Sequence, residues 1–153
     1  MRIFTVTFLS VLVGALCYTW EPEELQCLEE LKIEKALIED LNDPTKKPCP
    51  EDNEDLKNFL ECSWKKNGML DQDNEINWER VEFLLLRSVR KDFQRGKTET
   101  EQAVALVMGG IAKAIIDRCH ERNIRAETPG LTIVKIQNCL GDKIRALKSV
   151  LED

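Results

Sequence analysis

The chain is poor in the residues on which most reactions depend. Its 153 residues include one histidine, His120, so no site built on two imidazoles can form, either for a metal or for acid–base work. No GxSxG, HExxH or phosphate-binding glycine loop occurs in the sequence, and an enzymatic reading loses its usual supports. Strand-like alternation and internal repeats are missing too, which leaves an all-α domain as the expected class. Beyond the N-terminus, no segment is long and apolar enough to span a bilayer. Basic residues are the minority: 22 Lys and Arg stand against 28 Asp and Glu, for a formal net charge of −6. That balance disfavours nucleic acid as a partner.

What is present begins with a leader-like segment. Arg2 is followed by an apolar run from Val6 to Leu16, with small residues where a cleavage site belongs. Residues 1–17 therefore read as a secretory signal peptide and 18–153 as a single soluble domain, with no membrane attachment after processing. Removing Arg2 leaves 21 basic residues against 28 acidic ones, a net charge of −7. Cleavage after Cys17 leaves Cys27, Cys49, Cys62, Cys119 and Cys139. In an oxidising compartment five cysteines mean two disulfides and one left over.

The stretch from Leu56 to Leu86 organises the rest. Leu56, Phe59, Leu60 and Ser63 follow the spacing of a helix with one buried stripe, and Cys62 sits beside that stripe. Gly68 supplies a left-handed stop. Asp71, Asp73 and Asn74 make a polar turn, and Asn77 caps a helix that runs from Trp78 to about Phe93. Upstream, Pro22 with Glu23 and Glu24 opens a helix that carries Cys27 and ends at Asn42-Asp43-Pro44. The proline-rich run from Pro44 to Pro50 reads as an extended, exposed loop. Downstream, Thr98 and Glu101 have capping-box spacing. The helix they open has no charge from Ala103 to Ala112 and is expected to be the central, most hidden one. Gly109-Gly110 within it reads as a bend, a close helix crossing or cavity space. A last helix follows Thr128-Pro129 and carries Cys139.

Short motifs can be weighed against this background. Asp71, Asp73, Glu75 and Glu82 occupy positions 1, 3, 5 and 12 of a calcium loop, but Ile76 stands where its glycine is needed. A nucleophilic Cys119 beside His120 would need a thiol that is expected to be oxidised. No cofactor, metal or catalytic residue is expected.

The segment Cys62-Ser63-Trp64-Lys65-Lys66-Asn67-Gly68-Met69-Leu70-Asp71, continuing to Glu75-Ile76-Asn77, resembles the stretch after the third cysteine in insect odorant-binding proteins, the pheromone/general-odorant-binding (PBP/GOBP) family. The order of helices and cysteines agrees over nearly all of the mature chain. The positions of the family's second and fifth cysteines, four before Cys62 and nine before Cys139, hold Asn58 and Gly130. Both partners of one family disulfide are thus absent together, as in the four-cysteine "C-minus" subgroup. The resemblance implies bridges Cys27–Cys62 and Cys119–Cys139, with Cys49 free or paired between chains in a dimer. Two departures stand out: the 56 residues between Cys62 and Cys119 exceed the family's usual gap, and Cys49 has no counterpart. A long chain with an extra early cysteine also resembles the short D7 salivary proteins of blood-feeding flies, although no residue set matches their amine pocket.

The implied fold is a single disulfide-braced bundle of about six helices enclosing an apolar cavity. The implied function is secreted, non-enzymatic carriage or scavenging of a small hydrophobic ligand: an odorant, pheromone, lipid or amine. Leu84, Leu85, Val89, Leu106, Val107, Met108, Ile111, Ile115 and Ile136 are the candidate ligand contacts, as apolar residues on the helices expected to be most enclosed. The alternative is a secreted helical interaction or signalling protein, of venom, saliva or reproductive fluid, with a filled core.

Overall fold

The structure is a computed structural model that describes residues 20–95 and 98–152; the expected signal peptide lies outside them. The described residues form six helices: α1 Pro22–Leu31, α2 Lys35–Leu41, α3 Glu54–Lys66, α4 Trp78–Arg95, α5 Glu99–Glu121 and α6 Pro129–Glu152. Among them the only β pairing is an isolated bridge between Leu70 and Ile76. The all-α expectation holds.

Helix α3 packs on both α1 and α6. Its start follows from sequence: the Asn53 side chain accepts a hydrogen bond from the Leu56 amide at 2.8 Å, and Glu54 and Asp55 fill the first turn. Its end follows as well, because Gly68 takes φ +75° and the Met69 amide returns to the Trp64 carbonyl at 2.9 Å. Leu56, Phe59 and Leu60 on this helix are at most 2% exposed. Burying each contributes about 1.5–3 kcal/mol. They pack with Cys27 and Leu28 of α1, Ile38 of α2, Val81 of α4 and Ile133, Val134 and Ile136 of α6.

The first helix of the sequence reading is in fact two. Lys32 adopts φ 56°, ψ 41°, and the Lys32 and Ile33 amides return to the Glu29 and Leu28 carbonyls at 3.3 and 3.0 Å, the two bonds of a Schellman ending. No glycine marks this stop. Tertiary packing explains it, since the break lets Ile33 join the core and turns Ile38 fully inward.

Cys27–Cys62 ties α1 to α3 and Cys119–Cys139 ties α5 to α6, the pairs that the resemblance implies. Cys49 is free and 2% exposed. The Pro44–Pro50 segment is only in part the exposed loop its prolines suggest: Lys46, Lys47 and Pro48 are exposed, whereas Pro44, Thr45 and Pro50 are half-buried and Cys49 is buried. It is a strap held along one stripe of α6. The Cys49 amide donates to Asn138 Oδ1 at 2.7 Å, and Asn138 Nδ2 donates back to the Cys49 carbonyl at 3.0 Å. One and two turns further on, Gly141 lies close against the Pro44 carbonyl and Arg145 donates to the same oxygen.

Gly130 has a comparable role against α3. A Cβ placed there would stand 2.6 Å from the Lys57 carbonyl oxygen, so α3 and α6 cross here at a distance only glycine allows.

Candidate functional site

Helices α4 and α5 pack mainly on each other. The turn before α4 is built from its own polar groups: Asp71 Oδ1 accepts from the Asp73 and Glu75 amides at 2.8 and 2.9 Å, and Asn77 Oδ1 caps α4 through the Arg80 amide at 3.1 Å. The Glu75 carboxylate, part of the calcium-loop pattern, is taken up by Arg125 in a two-pronged pair at 2.9 and 3.0 Å. Its hydrogen bonds from Arg125 hold it below the usual glutamate range. The start of α5 is the expected capping box, with Thr98 Oγ1 accepting from the Glu101 amide and Glu101 Oε2 accepting from the Thr98 amide, both at 3.1 Å.

Trp78 at the head of α4 stacks on His120 near the end of α5, with ring centroids 4.6 Å apart. Lys113 of α5 joins Glu82 of α4 at 3.4 Å and Asp117 of its own helix at 3.0 Å. These contacts fix the pairing of the two helices. Their inner side buries Leu86, Ala105, Met108, Ile116 and Cys119, and among the described residues of the two helices Val81 alone is a buried member of the main core.

The candidate ligand contacts separate into distinct places. Met108 is 4% exposed, and Leu84, Ile111 and Ile115 are half-buried. Ile136 is fully buried in the main core, among α3 and α6 neighbours. Leu85, Leu106 and Val107 lie on the surface at 43%, 65% and 57% exposure. The side chain of Val89 lies outside the described residues. Helix α5 is thus not the hidden central helix its charge-free run suggests. It is apolar on two sides and covered on one. Cys119 carries the signal that would have told the sides apart. As its sulfur must face α6, the residues one, two and four turns before it, Ile116, Ala112 and Ala105, share its face with Met108, whereas Leu106 and Val107 turn away.

Gly110 also departs from expectation. It is exposed, and a Cβ built on it meets nothing within 4 Å, so it marks no close crossing among the described residues. Cys49 is removed from chemistry by its burial, which together with Asp43 pushes the thiol up to about 11. Bridging it to a second chain would require the strap to leave α6. Among the described residues no cluster of three His, Cys, Asp or Glu is arranged to hold a metal ion, and no helix is long and apolar enough to cross a membrane.

The arrangement is that of a disulfide-braced helical domain whose notable interior groups are apolar side chains. The profile of the PBP/GOBP family matches residues 20–143, and the chain belongs to that family, the insect odorant-binding proteins. No curated protein and no solved structure matches the chain.

Proposed function

We propose that the protein is a secreted, non-enzymatic carrier or scavenger of one small apolar ligand. Family membership over residues 20–143 is the observation that carries this reading. Leu84, Met108, Ile111 and Ile115 support it, being apolar, wholly or partly shielded, and outside the packed core. A site of such residues binds chiefly by removing apolar surface from water, which suits an odorant, a pheromone or a lipid chain. An amine would need a facing carboxylate as well.

The test is titration of the purified protein with a naphthylamine dye whose emission rises in apolar surroundings. Saturable one-to-one binding is expected, and Ile115→Asn should weaken it by about tenfold while the far-ultraviolet dichroism stays helical. Failure of the dye, a fatty acid and a terpene alcohol all to bind would overturn the carrier reading in favour of a filled-core interaction protein.

A further inference from the structure

The outer face of α5 is bare and has an internal symmetry. Glu99, Ala103, Val107, Gly110, Ala114 and Arg118 are all exposed, and at 3.6 residues per turn they fall within an arc of about 100°. Their spacing is four, four, three, four, four, the same from either end. Reflected about the Met108–Gly109 peptide, Glu99 pairs with Arg118, Ala103 with Ala114 and Val107 with Gly110. Acid thus answers base, small answers small, and a projecting side chain answers a hollow. The hollow is real, because the space above Gly110 is empty to 4 Å. Leu106, 65% exposed, flanks the row. Neither Glu99 nor Arg118 has an ion-pair or hydrogen-bond partner for its side chain among the described residues.

We propose that this face docks on the same face of a second copy of the chain, antiparallel, about a two-fold axis that lies between the two helices, level along α5 with the Met108–Gly109 peptide. Val107 of each copy enters the hollow over Gly110 of the other. Ala103 against Ala114 lets the backbones approach, and Glu99 of each copy meets Arg118 of the other. The six residues form two rows that step by four, 99–103–107 and 110–114–118. Such ridges pack into each other at an interaxial angle of about −50°, which lays one row along the other copy's second row. Opposed helix dipoles favour the same arrangement. An isologous contact needs a surface complementary to itself; the three reflected pairs supply that, while Asp117 in the same arc is answered by Lys113 of its own helix and the exposed Glu121 lies beyond the Arg118 end of the row.

The experiment is sedimentation velocity of the secreted protein carrying Cys49→Ser, which removes thiol-linked dimers, from about 1 to 200 µM. A reversible dimer is expected. Glu99→Arg alone and Arg118→Glu alone place like charges opposite each other and should each raise the dimer dissociation constant at least about tenfold. The double exchange, Glu99→Arg with Arg118→Glu, should restore it. Val107→Glu should give a monomer with unchanged helicity. A monomer at every concentration overturns the proposal, as does a dimer indifferent to the single exchanges. If Val107→Glu abolishes dye binding without changing the sedimenting mass, the face belongs to the ligand and the dimer is refuted. The ligand-binding reading is measured separately by the dye, so either conclusion can fail without the other.

Discussion

Alanine should have opposite effects at two of the glycines. At Gly130 the added methyl would lie 2.6 Å from the carbonyl oxygen of Lys57, 2.9 Å from its carbonyl carbon and 3.0 Å from its Cβ. The first two belong to the backbone of α3, which is also packed on α1 and cannot yield locally. Relief requires the two helices to separate, and overpacking of this kind costs about 1–3 kcal/mol. The gain in helix propensity is at most about 1 kcal/mol, and it is diminished at the second residue of a helix. A net loss of about 1–2 kcal/mol lowers the melting temperature by roughly 4–10 °C in a domain of this size. At Gly110 nothing opposes the propensity term, and alanine should raise the melting temperature by up to roughly 5 °C. Both variants would be melted at low micromolar concentration, where self-association contributes least. A Gly130→Ala protein that melts at or above wild type would refute the close crossing of α3 and α6. A Gly110→Ala protein that melts lower would refute the open face of α5.

Two further outcomes concern the strap. With its pKa pushed up to about 11, the Cys49 thiol is only about 0.1% thiolate at pH 8, so native protein should resist iodoacetamide, and Asn138→Ala should speed labelling at least about tenfold by freeing the strap; labelling of wild type at the rate of an unfolded control would show the strap is not held. Burial pushes the Asp43 carboxyl up, but hydrogen bonds from Thr45 and Lys46 outweigh it and hold it below its usual value, so its contribution to stability is present at neutral pH and lost as pH falls through that lowered value. Denaturant midpoints of wild type and Asp43→Asn should therefore differ at pH 7 and converge on acidification; a difference that persists at pH 2 would exclude this assignment.

Local chemistry made part of this structure readable in advance. Gly68, Asn77 and the Thr98–Glu101 pair act through neighbours within five residues, so their hydrogen bonds could be anticipated from spacing. The break at Lys32 could not, because a lysine in the left-handed region is stabilised by what Ile33 and Ile38 reach in the core. The burial of Cys49 is hidden from sequence for a related reason: the prolines of the strap speak of local conformation, while its position is set by Asn138, which lies 89 residues from Cys49. At α5 the pattern was visible and the inference from it failed. A helix apolar all round can be enclosed, or it can carry one buried face and one face turned outward. Hydropathy alone does not distinguish the two cases. Met108, Ile111 and Ile115 stand out in the sequence as apolar, whereas telling the buried Ala105 and Ile116 from the exposed Leu106 and Val107 needs the orientation that Cys119 imposes.

The placement of the two disulfides divides the molecule as an object under proteolysis. Cys27–Cys62 closes a ring within the first half and Cys119–Cys139 closes one within the second, and between Cys62 and Cys119 the halves share a single strand of covalent bonds. A cut inside either ring leaves one molecule, heavier only by the water added across the cleaved bond. A cut in the connection between α4 and α5 makes two molecules, held by non-covalent contacts alone and separable by dilution. The bridge that the wider family would place at positions 58 and 130 is the one that would have joined the halves. Here the close contact of Gly130 with Lys57 stands in that place, so after such a cut the lifetime of the protein would become a dissociation rate.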